Sequence, residues 1–403
     1  MKSKRYTHFC GIDVAKNKHV ACILDRDGEF VARSQSFYNN AEGYQHILKR
    51  LQDTCPSDRP LIGMEATGYY WYALRDFLVA HGYEVAVVNP IQTHQQAKKG
   101  IRKRKTDKID ARHIATLIKN GEHRPALVPD DFAMSCRQLT RLRYRTVGNI
   151  SRLKLLLWSR LGPLWPEYET LFGDTFCKTS RRLLLTAPTP DDVLAMGREA
   201  LVELIDKTSR GRYRPVLADR IRESAAHTIG SRRGIEGARI GIRSLISQIG
   251  ALLPIRQQLD ADIESLADRL PAYYFTLPGV TRFLAVSLFG ETDPITAFGT
   301  SSQLVAFAGL DTTVFQTGQY TGERLRRKIT KRGSPYLRHT LWRMAHRACH
   351  QEGDLRTYWL RRKGEGLHHL AAVTAAALKL CHVTWRILTD ERDYLPERPT
   401  RKP

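Results

Sequence analysis

Apolar and polar positions follow one another over residues 8–36 in three short runs, a pattern typical of three consecutive β-strands. The first run contains Asp13. Asp25-Arg26-Asp27-Gly28 lies between the second and third runs and has the residue types of a hairpin turn. The pattern therefore predicts three strands in antiparallel order at the start of the chain.

The pattern then changes to helices alternating with strands. Apolar residues recur every three or four positions from Tyr44 to Leu51, which predicts a helix. A strand ending at Glu65, a helix over 71–80 and a strand over 84–88 follow. This order predicts an α/β domain built on a mixed sheet flanked by helices. It is compatible with a ribonuclease-H-like fold, and periodicity alone leaves other α/β sheets open.

The middle of the chain has a helical pattern. Apolar residues keep near-heptad spacing over 139–161, and a second run over 245–270 alternates steps of four and three with Arg256 as its charged exception. Such a seam suits a coiled coil. Pro254 is predicted to kink this second helix or to begin a new segment. An antiparallel hairpin within one chain and a dimer interface are both open.

Three domains are predicted from these patterns. An α/β domain covers 1–133, a helical coiled-coil region covers 134–270, and a mostly helical domain covers 271–403. Within the middle region, residues 186–237 contain proline, glycine and many arginines, and they are predicted to be a linker with short helices. In the last domain, Leu277-Pro278-Gly279-Val280 resembles a helix-hairpin-helix turn, in which the end of the next helix can meet phosphate.

The composition points to a polyanionic partner. The 403 residues include 64 Lys and Arg against 41 Asp and Glu, a net charge of +23. Basic residues release counterions when they neutralise phosphates, so DNA or RNA is the expected partner. A membrane is the rival explanation, but residues 368–388 carry Lys379, Arg386 and three histidines and are predicted to be a poor span. The seven scattered cysteines favour neither disulfides nor zinc, and a cytoplasmic protein is expected.

Four acidic residues are candidates for metal chemistry. Asp13 and Glu65 each follow a strongly apolar run, where an unpaired carboxylate would be costly. Asp107 and Asp110 stand three apart at the predicted start of a helix, which places both on one face. Carboxylates from strand ends and a helix can hold two hard divalent cations for phosphoryl transfer. The alternative is helix capping and surface ion pairing with neighbouring basic residues.

Two basic segments could deliver phosphates to such a site. A solvated loop is the usual alternative for a charged run. The first segment comprises Lys98, Lys99, Arg102, Lys103, Arg104 and Lys105, and the second comprises Arg324, Arg326, Arg327, Lys328, Lys331, Arg332 and Arg338. The second follows residues 316–322, where hydroxyls stand among glycines and could contact or attack phosphate.

Two sets of rings have both a structural and a functional interpretation. The aromatic residues at 69–72 could stack on bases, and about half of them are expected to pack in the core. His339, His346 and His350 could share a helical face. Packing or facing phosphates is favoured there over a metal site, since no cysteine or carboxylate stands at ligand spacing.

With these motifs in order, the chain resembles the insertion sequence 110 family of transposases over nearly all of its length. The amino-terminal motifs are Gly11-Ile12-Asp13-Val14-Ala15-Lys16, Met64-Glu65-Ala66-Thr67-Gly68, Val88-Asn89-Pro90 and Lys105-Thr106-Asp107-Lys108-Ile109-Asp110-Ala111, and they are similar to that family's RuvC-like DEDD domain. The carboxy-terminal motifs, similar to its transposase domain, are Leu277-Pro278-Gly279-Val280, Phe298-Gly299, Leu304-Val305-Ala306-Phe307-Ala308-Gly309-Leu310 and Lys331-Arg332-Gly333-Ser334-Pro335-Tyr336-Leu337-Arg338.

The resemblance implies chemistry and partners. It implies two Mg²⁺ ions, replaceable by Mn²⁺, held by the four carboxylates Asp13, Glu65, Asp107 and Asp110. It also implies DNA recombination guided by a structured RNA, with a nucleophilic serine in the second domain. This chain has Thr317 where that serine usually stands. Threonine offers a hydroxyl, but its extra methyl hinders approach.

The sequence therefore predicts a DNA transposase that cleaves and rejoins strands in a metal-dependent reaction, with Thr317 as the hydroxyl nucleophile and a homo-oligomer joined through the helical region. A junction-resolving nuclease and an inactive nucleic-acid-binding relative are the alternatives. An actin-like ATPase is disfavoured, since no second glycine-rich phosphate loop follows in the next hundred or so residues.

Overall fold

Five strands form one mixed sheet in the order β3-β2-β1-β4-β5. The computed structural model describes residues 6–66, 68–88, 93, 107–122, 128–209, 215–311 and 329–396. The strands are β1 Phe9–Asp13, β2 Lys18–Leu24, β3 Phe30–Tyr38, β4 Leu61–Glu65 and β5 Val85–Val88. β1, β2 and β3 pair in antiparallel fashion, whereas β4 and β5 run parallel to β1. The mixed sheet is confirmed, and its order is consistent with a ribonuclease-H-like fold.

Helices cover both faces of this sheet. The helices are α1 Ala41–Thr54, α2 Trp71–Ala80 and α3 Asp107–Lys119. One face carries the alternate residues Cys10, Ile12, Ile62 and Met64, which share a buried cluster with the apolar residues of α1 and α2. The other face carries Gly11 and Gly63 and is covered by α3.

The close approach of α3 depends on these two glycines. A Cβ on Gly11 would lie 2.1 Å from the backbone oxygen of Ala111. A Cβ on Gly63 would lie 2.9 Å from a side-chain carbon of Ile118 and 3.0 Å from one of Ile114. Side chains on β1 and β4 would therefore push the helix away from the sheet.

The remaining chain forms a second compact unit, made of residues 131–292 and 298–403, while residues 1–130 and 293–297 form the first. The second unit is helical in its described residues. Its helices are α4 Asp131–Leu164, α5 Lys178–Thr186, α6 Pro190–Met196, α7 Arg198–Ser209, α8 Pro215–Ala226, α9 Ile235–Leu266, α10 Arg282–Thr292, α11 Ser301–Ala308, α12 Pro335–Ala348, α13 Asp354–Gly364 and α14 His369–Asp390. Short 3₁₀ segments lie at Pro166–Thr170, Ala267–Arg269, Ala272–Thr276 and Ile295–Ala297, the last of them in the first unit. The division into three domains stays a prediction.

The two long helices, α4 and α9, pack as an antiparallel hairpin within the chain. The late α4 residue Leu157 shares a buried cluster with Ile242 near the start of α9. The early α4 residue Arg143 donates from Nε to Asp260 Oδ1 near the end of α9, at 2.8 Å. The apolar seam over 245–270 therefore serves an intrachain contact. The prediction that Pro254 begins a new segment is wrong, because α9 continues through it.

Of the prediction of a linker with short helices over 186–237, the short helices are confirmed and the linker is wrong. Helices α6, α7 and α8 bury Val193, Leu201 and Ile221 in the same cluster as α4 and α9. Two of the three prolines in this range, Pro190 and Pro215, stand at helix starts, where a missing N–H costs nothing. At Thr189 the start is fixed by a capping box with Asp192. Arg198 and Arg220 are exposed on these helices, and Arg198 pairs with Asp219.

Helices α10 to α14 pack against one another, and α10 also packs against α4. Gly279 in the predicted hairpin turn has φ +68°, and a Cβ there would lie 2.1 Å from the backbone oxygen of Met344 in α12. Residues 368–388 are expected to be a poor membrane span, yet α14 has the length and hydropathy of one. A core helix has the same composition, and α14 buries Val373, Ala376 and Leu380 within the protein.

Candidate active site and nucleic-acid surface

Two of the predicted carboxylates stand at the ends of neighbouring parallel strands. The register pairs Ile12 of β1 with Met64 of β4, so the next residues, Asp13 and Glu65, are adjacent. Both are half-buried. Each lies two positions after a glycine that faces α3, and side chains in a strand alternate between faces. Asp13 and Glu65 therefore share the α3 side of the sheet at its carboxyl edge.

The direction of α3 places its first turn at the same edge. Ala111 lies against Gly11 in the middle of β1, whereas Leu117 and Ile118 cluster with Phe9 and Leu61 at the starts of β1 and β4. The helix thus runs antiparallel to these strands. Its first turn, with the exposed Asp107 and the half-buried Asp110, is directed toward the strand ends.

Polar contacts fix both ends of α3 on the antiparallel strands. Near its start, Ser34 Oγ on β3 donates to the backbone oxygen of Lys108 at 3.3 Å. Near its end, Lys119 Nζ donates to the backbone oxygen of Arg26 in the β2–β3 turn at 3.3 Å. That turn is itself closed by the Asp25 carboxylate, which accepts from the backbone N–H of Gly28 at 2.8 Å. Contacts at the two ends of α3 therefore fix the helix, and with it the position of its first turn.

Polar contacts surround two of the carboxylates. Glu65 Oε2 accepts from Thr93 Oγ1 at 2.8 Å. His113 Nδ1 lies 4.0 Å from Asp110 Oδ1, at the outer limit of an ion pair. Asp107 and Asp110 both occupy the first turn of α3, where the helix dipole stabilises negative charge.

The loop that follows Asp13 is held by a buried histidine. The side chain of His19 has no solvent exposure, and the backbone N–H of Ala15 donates to its Nδ1 at 3.2 Å. Burial lowers the pKa of His19, so the ring stays neutral and keeps an acceptor for this bond. Asn39 supports the same loop by donating to the backbone oxygen of Lys16 at 3.0 Å. Sequence reasoning missed His19, whose only signal is a polar residue inside an apolar strand.

The donor chemistry at this edge suits a hard divalent cation, since carboxylate oxygens are its preferred ligands. Among the described residues, however, no group of three or more His, Cys, Asp or Glu side chains is close enough to hold a metal ion. Like-charged carboxylates repel each other, and a bound cation would offset that repulsion by attracting both of them. The four residues therefore lie at one edge of the sheet without three of them reaching a common point, and their role as ligands stays a prediction.

The aromatic run after Glu65 divides between core and surface. Trp71 is 3% exposed and packs with the α1–α2 cluster, whereas Tyr69 is 69% exposed. Tyr70 and Tyr72 are partly buried against that cluster. Tyr69 is therefore the ring of this run that a nucleotide could reach.

Only part of the predicted nucleic-acid surface can be placed. The first basic segment, from Lys98 to Lys105, lies outside the described residues, and so do Thr317, Arg324, Arg326, Arg327 and Lys328. Lys331 and Arg332 are exposed. Arg338 is half-buried and donates from Nη1 to the backbone oxygen of Ala308 at 2.9 Å. Arg338 therefore has a structural partner, whereas Lys331 and Arg332 face solvent.

A buried ionic network anchors this second basic segment. Glu291 on α10 is fully buried, and Arg141 on α4 contacts its carboxylate in a bidentate manner, at 2.6 Å from Nε and 2.9 Å from Nη2. Ser334 Oγ donates to Glu291 Oε2 at 2.7 Å and accepts from the backbone N–H of Leu337 at 3.1 Å, which caps α12. Sequence reasoning missed Glu291 and Arg141, since the only signal is one acidic residue in the apolar α10.

A mixed sheet of this order with carboxylates at its carboxyl edge is consistent with a ribonuclease-H-like enzyme of phosphoryl transfer. Comparison with known families agrees. A transposase model, that of IS110-type DEDD transposases, matches residues 10–166. A second model, described as transposase of the IS116/IS110/IS902 family, matches residues 274–360.

Relatives extend this likeness to the full length. The chain is 25% identical to the insertion element IS116 44.8 kDa protein of Streptomyces clavuligerus, over 99% of each chain. It is 23% identical to the IS900 42 kDa protein of Mycobacterium paratuberculosis, over 97% of this chain and 98% of that one. It is also 36% identical to the pilin gene-inverting protein of Moraxella bovis, over 26% of this chain and 31% of that protein.

The two matched segments together span more than half of the chain, and the chain belongs to the IS110 family of transposases. It is thus a DNA-binding phosphoryl-transfer enzyme of an insertion sequence. Membership of a DEDD transposase family implies a divalent metal ion.

Proposed function

We propose that this transposase cleaves and rejoins DNA at a site where Asp13, Glu65, Asp107 and Asp110 hold two Mg²⁺ or Mn²⁺ ions. The observation that carries the proposal is the shared location of two strand-end carboxylates and the acidic first turn of α3. Bound metal would activate the attacking oxygen and stabilise the leaving one. The four side chains would orient the cations, and the cations would orient the scissile phosphate.

The attacking group in this proposal is the Thr317 hydroxyl. Its oxygen forms a bond to phosphorus, the phosphodiester bond to one strand end breaks, and that end leaves as a free hydroxyl after taking a proton. The DNA end stays attached to the protein until a second strand end attacks and releases Thr317. Support comes from the family resemblance of the segment around Thr317.

Nucleic-acid partners follow from charge and family. The net charge of +23 and the exposed Lys331 and Arg332 favour binding of DNA phosphates. A structured guide RNA is part of the proposal on the strength of the family resemblance, as is a cytoplasmic location on the strength of the sequence. A homo-oligomer is supported by exposed apolar residues on α4, such as Leu155, which is 71% exposed.

The metal proposal is tested by Asp13→Asn. The substitution removes a charge at the strand end with little change in shape, and we expect recombination to fall on the order of a thousand-fold, the equivalent of about 4 kcal/mol of barrier. Recombination of a plasmid carrying the element ends measures it. Asp53→Asn, at an exposed position of α1, is the matched control and should retain activity. Full activity of Asp13→Asn would reject the metal site.

The covalent step has its own test. Denaturing gels of protein incubated with labelled element DNA should show a protein–DNA adduct that Thr317→Ala abolishes and Thr317→Ser preserves. Cleavage that continues in Thr317→Ala without an adduct would instead favour a junction-resolving nuclease. The threonine at this position is the observation that keeps this second candidate, because its methyl group hinders nucleophilic attack.

A further inference from the structure

We propose that the outer face of α12 is a binding site for an unpaired stretch of nucleic acid, held by stacking of bases on histidine and tryptophan rings and by arginine contacts to phosphates. This inference rests on the proposed function in nucleic-acid recombination, and it assigns a separate surface for the strand. We call this surface the α12 track. Its described residues are Trp342, Arg343, His346, Arg347, His350 and Gln351.

The α12 track combines two rows of residues with different chemistry. Trp342 and His346 stand four apart on one side of α12, and His350, two residues past the end of the helix, continues the row through its contact with His346. Arg343 and Arg347 form the adjacent row and are exposed. Together these residues line a cavity of about 530 Å³ that extends for roughly 14 Å along the helix. That length accommodates a few nucleotides.

The rings of the track continue onto two neighbouring helices. Trp342 and His346 are nearly parallel, with centroids 5.2 Å apart and an interplanar angle of 24°. His346 and His350 are 4.8 Å apart, and His350 lies 5.5 Å from Trp359 on α13. Trp359 in turn meets His369 on α14 at 5.6 Å. Rings this close contact one another, so a base would stack on the solvent-facing side of the cluster, where His350 is exposed, rather than insert between two rings.

Core packing does not explain this cluster. His350 is exposed, and Trp342, His346, Trp359 and His369 are only half-buried. The side chains of the α12 track reach solvent along the cavity rather than fill an interior. A metal site is not supported either, because no metal-binding group of His, Cys, Asp or Glu occurs in the part of the chain that the structure describes.

The charges around the cluster favour binding of an anionic strand, with the charge supplied by arginines beside an uncharged His346. Burial lowers the pKa of His346, and the neighbouring His350, His369 and Arg343 lower it further, so this imidazole is neutral near pH 7. The positive charge therefore comes from Arg343 and Arg347, which can pair with phosphates. No carboxylate is among the described residues that line the cavity.

The position of the α12 track in the chain suggests the route that a bound strand would follow. α12 begins directly after the exposed Lys331 and Arg332, and Ser334 caps it. A strand that contacts those two residues could continue along the helix toward His350. The cap and the buried Glu291 would hold this path rigid.

Binding of eight-nucleotide oligothymidylate and oligouridylate, and of duplex DNA, tests the proposal. The full chain is used in EDTA, so that cleavage does not interfere. His346→Ala/His350→Ala should weaken binding of a single strand by about ten-fold, because base stacking is lost. Arg343→Gln/Arg347→Gln should also weaken it and should reduce the slope of log K against log salt by roughly 1.4, which corresponds to two phosphate contacts.

Two matched variants control for general effects. His227→Ala/His382→Ala removes two exposed histidines of the same unit, and Arg232→Gln/Arg233→Gln removes two exposed arginines. Neither should change single-strand affinity by more than about two-fold, the scale of a neutral surface change. A loss of affinity in the track variants for oligothymidylate, for oligouridylate or for both supports the α12 track. Which oligonucleotide loses affinity tells whether DNA or RNA occupies it.

Other outcomes reject it. Unchanged single-strand binding in both track variants would overturn the proposal, as would an equal loss of duplex binding or an equal loss in the controls. Zinc binding that disappears in His346→Ala/His350→Ala without change in oligonucleotide affinity would also overturn it. These readouts are independent of Asp13, so failure of the recombination test and failure of the α12 track are distinguishable.

Discussion

The helices α3 and α12 both carry candidate functional residues, but different forces hold them in place. α3 lies on the sheet because Gly11 and Gly63 leave room for its backbone and for Ile114 and Ile118. α12 is anchored through Ser334 to a buried carboxylate, Glu291, which is itself paired with Arg141. The first placement depends on missing side chains, and the second on a charge that would be costly without its partners. The two helices should therefore fail in different ways.

The largest effect is expected from breaking the ionic anchor. Glu291→Gln keeps the shape of the side chain but removes the charge that pairs with Arg141. We expect the second unit to lose about 3 kcal/mol of stability, since removing one partner of a buried pair leaves the other uncompensated. Denaturant unfolding measures the loss. Hydrogen exchange should show the loss in α12 and α10 and leave the sheet protected, and equal loosening of the sheet would contradict this assignment.

A smaller but more informative effect is expected at the glycine contact. Gly11→Ala would place a methyl carbon 2.1 Å from the Ala111 backbone oxygen, so α3 must shift. We expect a loss of about 2 kcal/mol, the usual scale of overpacking, together with lower recombination, because Asp107 and Asp110 move with the helix.

Gly148→Ala in α4 is the matched control for Gly11→Ala. Its Cβ would meet nothing within 4 Å, and alanine is favoured over glycine inside a helix, so we expect a gain of about 1 kcal/mol. Thermal unfolding followed by circular dichroism compares the two. The same sign for both substitutions would show that the α3 contact is not tight.

The smallest effect, a difference of about 1 kcal/mol between two cap substitutions, separates the two roles of Ser334. Ser334→Ala removes both the α12 cap and the bond to Glu291, and we expect a loss of about 2 kcal/mol. Thr300→Ala removes only a cap, that of α11, and should cost about 1 kcal/mol. The difference in free energy of unfolding estimates the bond to Glu291. Equal losses of stability in the two variants would mean that the bond from the Ser334 hydroxyl to Glu291 adds nothing measurable to the free energy of unfolding.

The same contrast explains how far the sequence could predict the structure. Strands β1 and β4 and the start of α3 were predictable because period-two and helical patterns are local. β1 ends at Asp13, β4 ends at Glu65, and α3 begins at Asp107, so these patterns also located the candidate residues. The pairing of Arg141 with Glu291 was not, because 150 positions separate the two residues and no local pattern links them.

The errors in the helical region have a common cause. Pro254 predicts a kink or a new segment and the prolines over 186–237 predict breaks, yet α9 continues through Pro254 and helices begin at Pro190 and Pro215. Proline restricts the backbone without fixing which side of it is helical. Likewise, the apolar seam over 245–270 required a partner helix but could not tell whether that partner belonged to the same chain.

The α4–α10 contact also sets an order of events during translation. The five strands and α1 to α3 lie within the first 119 residues, so their sequence leaves the ribosome early. Arg141 can pair with Glu291 only after the 150 positions between them have been synthesised, which takes roughly 10–30 s at ordinary rates of synthesis. During that interval α4 presents Arg137 and Cys136, later buried, to the surrounding solution. The part of the chain with the five strands and the predicted carboxylates is thus synthesised well before the ribosome reaches the codon for Thr317.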